Sequence, residues 1–543
     1  MRYILNATKV AIVLISMLVI AYYIVHYAPS RFFTEFDDAY MYCRYASNFL
    51  EGNGYSWNAS DGAAYGATSS IYLFLITLIK HCFSMENSFL LSTTSYSAGL
   101  IGLLALVTIG YQTGQTISKW HIPILVIPLC LISSSFRYHS FTGMETTTAF
   151  AANAILVLSV ILYSRKPDKA SFSFVLLSAV FAFWVRPDNG VYSLLFPALF
   201  LLSIGRFSFR TALIYLLSFA SAVGLILLVS FLLFGSSLPV PFYTKSGEFL
   251  VGYAGINNWN AVDYLLQFLR DTFPFIAVVI LFTRRAKIPE LVSILVPVVI
   301  TFIYYATTVQ IMGWFARYYF PSLPFTVMAA FIVLESVLQK RHFPPIRSYL
   351  YRVPVLAVLS CITFLNPMRQ ALSSMWIKSQ DGFEVFSAQT CYSSSSDEPL
   401  PYLNWWDAIL HMSSIVGNLP PGASVAATEY GYISAENPSA TIVDMAGLHD
   451  MTLVKEGFSS SYILSQQPDL IWMPHIDYTF FNAQLIDDSA FFADYNFYPG
   501  IFNYGVAVRR NSELYTVILC SFEKEFSLAY PGAKLGDYLA IPE

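Results

Sequence analysis

Read from its N-terminus, the chain alternates long apolar runs with short polar breaks. The runs cover residues 10–28, 69–83, 88–110, 121–135, 146–163, 171–186, 190–204, 211–234, 272–283, 290–309, 320–339 and 353–366. Each is long enough, or nearly so, to cross a hydrocarbon layer about 30 Å thick as a helix. The first run follows Arg2 and Lys9 and leads into Tyr22, Tyr23, His26 and Tyr27 rather than a small-residue cleavage site. It predicts an uncleaved helix with a cytoplasmic N-terminus. Basic clusters at Arg165/Lys166/Lys169, Arg206/Arg210, Arg284/Arg285/Lys287 and Lys340/Arg341/Arg347 mark cytoplasmic turns. The first loop (29–68), residues 187–189, 235–271, 310–319 and everything after about 367 then face the exterior. With Lys80 and Arg165 both placed inside, the three runs between them break parity. One of them is expected to enter without crossing, or to break. The pattern predicts about eleven spans, odd because the ends lie on opposite sides.

After residue 367 the periodicity changes. Segment 379–407 is polar, and from about 405 the pattern reads as soluble α/β. NLPPGASVAATEYG (418–431) predicts a helix end, a Pro-Pro-Gly turn and a strand; ATIVDMAGL (440–448) and DLIWMP (469–474) predict further strands. GVAVRR (505–510) and YTVILC (515–520) read as a closing hairpin around Asn511-Ser512. The expected organisation is a helical membrane domain over 1–366 and an exterior α/β domain over 367–543.

Composition agrees with the membrane reading. Of 543 residues 56% are hydrophobic and 12% charged, about half the usual charged share of a soluble protein. The net charge of −4 gives no sign of a nucleic-acid partner. The six cysteines are scattered without metal-site spacing. Cys391 and Cys520 are the pair an oxidising compartment would join; two free thiols are the alternative.

The polar residues at the exterior ends of the runs carry the candidate chemistry. Asp37 and Asp38 open the stretch DDAYMYCRYASNFL. The plain reading is a solvated loop in which Asp38 caps a helix and Tyr40, Arg44 and Tyr45 form an interfacial belt. Yet Glu145, Arg186, Asp188, Lys245 and Arg317 are predicted on the same face. Cations converging at an interface suit a phosphate group, and a carboxylate beside them suits general-base work. His449 beside Asp450 and His475 near Asp477 read as ordinary surface pairs.

The stretch DDAYMYCRYASNFLEGNGYSWN resembles the first exterior loop of integral-membrane GT-C glycosyltransferases. It is most similar to that of the mycobacterial cell-wall arabinofuranosyltransferases, which use decaprenyl-phospho-arabinose, and of their uncharacterised bacterial relatives. The match runs through Asp37, Asp38, Ala39, Tyr40, Arg44, Tyr45, Ala46, Asn48, Gly52, Gly54, Tyr55, Trp57 and Asn58. Further pieces follow in order: Gly143-Met144-Glu145-Thr146, Arg186-Pro187-Asp188, FGSSLPVPFYTK with Tyr243 and Lys245, ARYYFPSLP with Arg317, and the tail segments LPPGASVAATEYGYI and VDMAGLHD. Two departures stand out. Tyr65-Gly66-Ala67-Thr68-Ser69 lacks an acid and a ring that the family often has, and Ile311-Met312-Gly313-Trp314 lacks an acidic residue. Arabinose is therefore not carried over.

The resemblance implies a polyprenyl-phosphate sugar donor, a glycan or lipid acceptor, and inversion at the anomeric carbon. It implies Asp37 as first-choice base with Asp38 beside it. Arg186, Lys245 and Arg317 would contact phosphate and Glu145 the sugar. Tyr40, Tyr55 and Trp57 would stack on sugar faces, and Arg44, Asp188 and Tyr243 complete the substrate-binding set. No cofactor is expected, with a divalent metal left open. The expected location is the bacterial cytoplasmic membrane, multi-pass, with the tail exterior and binding acceptor glycan. A lipid-linked sugar transporter or a non-catalytic glycan-binding protein are the alternatives.

Overall fold

A computed structural model describes residues 2–26, 33–246, 261–283, 287–306, 310, 313–340, 349–364, 392–393, 400–474 and 478–542. Up to Phe364 the chain is helical, and a small α/β domain follows. Among the described residues, five helices are long and apolar enough to cross a membrane. They are Asn87–Thr113, Thr146–Arg165, Phe209–Phe234, Ile288–Ala306 and the stretch Trp314–Gln339. The pair Ala261–Asp271 and Phe273–Phe282, bent by 72°, makes a sixth if it is one span. Val10–Tyr23, Ser70–Cys82, Ile122–Ile132, Lys169–Val185 and Arg352–Phe364 are shorter apolar helices.

Burial sorts these helices into inner and outer ones. Thr146–Arg165 is 83% buried over its apolar window, and its small residues Ala149, Ala152 and Ala154 admit close neighbours. Phe209–Phe234 is 11% buried and turns Leu213, Leu217, Leu228 and Leu232 outward, as a lipid-facing helix would.

The tail carries a five-stranded sheet in the order Thr441–Asp444, Ser424–Ala427, Leu470–Met473, Gly505–Arg509, Tyr495–Pro499. The first three strands are parallel and the last two antiparallel. Alternation splits its core cleanly. Ala426, Ile471 and Ala507 face one layer of helices, with Phe481 and Phe491. Val425, Trp472 and Val508 face the other, with Ile518 and Phe522. That second core does not stop at the tail. It continues through Tyr430 and Trp406 into Tyr40, Trp57, Tyr72 and Leu91 of the membrane half.

Two expectations are corrected. YTVILC belongs to the helix Tyr515–Ala529, whose Ile518, Phe522 and Phe526 are buried at a helical spacing of four. The partner of Gly505–Arg509 is instead Tyr495–Pro499. Lys80 also changes side. Its ammonium donates to Asn87 Oδ1, and Asn87 donates to Glu436 of the tail domain. At the other end of Ser70–Cys82, Ser70 accepts from Trp184, next to Arg186. This thirteen-residue helix therefore has both ends on the tail-domain face. The three runs between it and Arg165 then satisfy parity. The middle one is broken at Ser133 into Ile122–Ile132 and Ser134–His139.

Of the remaining tail expectations, Cys391, His475 and Asp477 lie outside the described residues, as does most of segment 379–407.

Candidate functional site

The fourteen-residue helix Asp37–Leu50 separates its first two residues by one helical step, about 100°. Their carboxylates therefore leave in different directions. Asp37 is fully buried and accepts the amides of Gly431 and Tyr432, each at 2.8 Å. Gly431 is required there, because a Cβ would overlap the Asp37 carbonyl oxygen. Burial pushes the Asp37 carboxyl up to about 7. The two amides oppose that rise and the neighbouring Asp38 charge adds to it.

Asp38 points the other way. Its Oδ2 lies 3.8 Å from Arg317 Nη1, and Arg317 Nη2 lies 3.5 Å from Glu145 Oε1. Tyr42 donates to the second Glu145 oxygen at 3.1 Å. Burial alone would raise the Glu145 carboxyl, but the Arg317 and Arg186 guanidiniums outweigh it and hold it below the usual range. Arg186 and Asp188 form a two-bond ion pair, and Tyr305 donates to Asp188 Oδ2, the oxygen that also accepts from Arg186 Nη2. Arg186 reaches the Arg317 carbonyl at 3.5 Å and lies over the Tyr318 ring. Asp38, Glu145, Arg186, Asp188 and Arg317 thus form one cluster at the tail-domain face.

The backbone that aims Arg317 is strained. Phe315 and Ala316 hold φ of 52° and 58°, a left-handed conformation costing non-glycine residues about 1–2 kcal/mol each. His139 Nε2 donates to the Phe315 carbonyl at 3.0 Å, and Tyr138 stacks on the Phe315 ring at 4.1 Å. At the opposite wall, Gly143 (φ +70°) lets the chain turn into Glu145; a Cβ there would come within 2.7 Å of Leu91. Arg317 is 5% exposed, yet its Nε and Nη1 have no hydrogen-bond acceptor among the described residues. A buried guanidinium with unfilled donors can donate to an anionic ligand's oxygens.

The other expected residues lie elsewhere. Arg44 is buried in the seam between the first loop and the tail domain. Its guanidinium donates to the carbonyls of Trp57, Ser434, Asn437, Pro438 and Ala440 and to Asn58 Oδ1. Asn58 also exchanges hydrogen bonds with the Ile442 backbone, acting as a partner to that strand. Trp57 stacks flat on His449 at 3.7 Å. Tyr40 packs edge-on against Tyr432 and donates to the Thr34 carbonyl. Tyr55 stacks on Phe49. Tyr243 is half-buried, and the Lys245 side chain lies outside the described residues.

His449 is a buried residue, not part of a surface pair. Asp444 accepts the amides of Ala446, His449 and Asp450 and so closes the loop that presents it. Its Nδ1 meets Tyr45 OH at 2.8 Å, and burial holds it well below the ordinary histidine range. Tyr42, Tyr305 and His139 were missed. His139 lies four residues ahead of the Gly143-Met144-Glu145 motif, and Tyr42 stands one helical turn beyond Asp38; both were within reach of spacing arguments. Among the described residues, no three His, Cys, Asp or Glu side chains converge as a metal site.

Fold and site together define a helical multi-pass membrane protein. Its α/β tail domain is fused by a shared core to the first loop. Residues 405–518, inside that tail domain, match a family described as a domain of unknown function (DUF8728). No curated protein matches the chain. Among solved structures, the chain is similar to the Archaeoglobus fulgidus oligosaccharyltransferase tethered to an acceptor peptide containing the NVT sequon. That likeness has a TM-score of 0.47 and 12% identity, over 97% of this chain and 77% of that one. The apo form of the same enzyme gives 0.45 and 10%, over 93% and 75%. At these scores and identities the likeness assigns neither activity nor ligand to this chain.

Proposed function

We propose that the chain is an inverting glycosyltransferase of GT-C type. It takes a sugar from a polyprenyl-phosphate donor to a hydroxyl of a cell-envelope glycan or lipid. The observation that carries this reading is Arg317, buried between Asp38 and Glu145 with two nitrogens that find no hydrogen-bond acceptor among the described residues. The first-loop, Gly-Met-Glu-Thr, Arg-Pro-Asp and Arg-Tyr motifs supply all five clustered residues, and they resemble the arabinofuranosyltransferase-like members of that superfamily. The sugar is left unassigned.

Of the two adjacent acids, Asp38 is the better base, because both Asp37 oxygens already accept tail-domain amides. Asp38 would take the proton of the acceptor hydroxyl as that oxygen attacks the anomeric carbon from the face opposite the phosphate. The bond from anomeric carbon to phosphate oxygen breaks, and its electron pair leaves on the polyprenyl phosphate. Arg317 and Arg186 would stabilise that anion, with Lys245 the further cation that the motif resemblance implies. Glu145 would hold a sugar hydroxyl, and Asp188 would orient Arg186. The site and tail would face the exterior of the bacterial cytoplasmic membrane, with the basic turns in the cytoplasm and the tail contributing to acceptor binding.

The test supplies a panel of polyprenyl-phosphate sugars and candidate acceptors to the purified protein and measures released polyprenyl phosphate. Release should fall about 100- to 10,000-fold in Asp38→Asn while donor binding persists. A chain that translocates or merely binds these lipids would release none. Full activity in Asp38→Asn would remove the assigned base.

A further inference from the structure

The same inner helices that meet the acid–arginine cluster at one end frame a cavity at the other. It holds about 730 Å³, on the face opposite the tail domain. Thr146–Arg165 runs from beside Glu145 down to this cavity, and the helix Leu323–Lys340 reaches it from beside Arg317. Ile161, Phe200, Ile204, Met328 and Ile332 supply its apolar wall, and the rest of the lining is polar or charged. The rim carries Arg165, Arg206 and Lys287.

The acids around the cavity are already committed. Glu335 is 6% exposed and accepts the amides of Thr116 and Ile117 at 3.0 and 2.8 Å, and the Gln339 amide at 2.7 Å. Glu290 pairs with Lys287 at 2.7 Å. Arg165 and Arg206 have no side-chain partner among the described residues. Arg165 is the last residue of its helix, and Arg206 follows a turn at Gly205 with φ of +69°. Two uncommitted guanidiniums above an apolar wall, at the boundary of a membrane protein, match a phosphate carried on an apolar body. A basic face alone follows from membrane topology. A recess whose carboxylates are spent, and whose arginines find no partner among the described residues, does not.

We propose that this cavity binds the phosphate of an anionic amphiphile, most simply a phospholipid headgroup from the leaflet on the basic face. The phosphate chemistry is shared with soluble phosphate compounds, and the apolar wall favours the lipid. The proposal does not depend on the transferase reading, because it concerns the other end of the helices.

The full chain is placed in nanodiscs of phosphatidylcholine containing a minor fraction of phosphatidylglycerol, and retained lipid is counted by native mass spectrometry. The wild type should retain phosphatidylglycerol in preference to phosphatidylcholine. Arg165→Gln with Arg206→Gln should cut that retention about tenfold, and Arg165→Lys with Arg206→Lys should keep part of it. Arg210→Gln with Lys169→Gln, two exposed cations outside the cavity, should change nothing. A second arm titrates glycerol 1-phosphate and inorganic phosphate into phosphatidylcholine nanodiscs. Arginine-dependent binding there without phosphatidylglycerol retention would overturn the lipid source. Equal losses in both glutamine pairs, or no preference between the lipids, would overturn the site.

Discussion

Arg44 and Arg317 are both buried guanidiniums on the tail-domain face, and their surroundings are opposite. Arg44 spends its donors on five backbone carbonyls and one side-chain amide oxygen, all but Trp57 and Asn58 contributed by the tail domain. Arg317 has two carboxylates at 3.5 and 3.8 Å and, among the described residues, two nitrogens with no acceptor. A saturated arginine holds structure; an unsaturated one, kept buried by a strained turn, is positioned for something that arrives. One helix, Asp37–Leu50, serves both: Asp37 and Arg44 face the seam, Asp38 and Tyr42 the cluster.

The largest expected effect breaks the seam. Arg44→Lys keeps the charge but not the fork, leaving several buried carbonyls without donors. It should cost about 3–5 kcal/mol and make the tail domain sensitive to protease. Arg317→Lys, the matched change, should leave the melting temperature within a few degrees while weakening donor binding at least tenfold. If both variants melt alike, the contrast between the two arginines is not real.

Asp37 sharpens the contrast through pH. Its carboxyl is lifted from 3.8 to about 7 in the folded chain. Between those values the unfolded chain has released the proton and the folded chain keeps it, so the contribution of Asp37 to stability falls as pH rises. The slope approaches 1.4 kcal/mol per pH unit and levels off above pH 7. Asp37→Asn should flatten this profile, at a cost of about 1–3 kcal/mol at pH 4 because one of the two amides loses its acceptor. Thermal melts from pH 4 to 8 measure both. Because the buried, neutral His449 tilts the whole profile the other way below about pH 6.5, the readout is the difference between wild type and Asp37→Asn. A wild-type advantage that stays constant or grows as pH rises would reject the assigned burial.

The contrast between the two arginines was not legible in the sequence, although both positions were. Arg44 and Arg317 each sit in a recognisable motif. What separates them is contact with Ser434–Ala440, almost four hundred residues from Arg44, which no local pattern encodes. His449 fails for the same reason: its neighbour Asp450 suggested a surface pair, and the approach of Trp57 and Tyr45 from the distant first loop buries it. The apolar runs did locate the helices. The error at Ser70–Cys82 came from reading hydrophobicity without length, since thirteen residues span about 20 Å, too short for the membrane core. Those apolar residues instead serve the core shared with the tail domain. YTVILC misled because six residues rich in β-branched side chains read as a strand, while the helical spacing appears only over the next six.

The smallest expected effect concerns what keeps Arg317 in place. The left-handed Phe315 and Ala316 are held by His139 below the carbonyl and Tyr138 against the ring. His139→Ala removes that donor and lets the turn relax. Relaxation releases strain while it loses one hydrogen bond, so the change in stability should be within about 1 kcal/mol. Donor binding should nevertheless weaken about tenfold, because Arg317 loses its aim. His139→Gln, which offers an amide N–H in a similar place, should recover part of the affinity. A cavity effect alone would lower stability and leave binding unchanged, and glutamine would not rescue it. Binding loss with unchanged melting, reversed by glutamine, is therefore the pattern that assigns His139 to positioning Arg317.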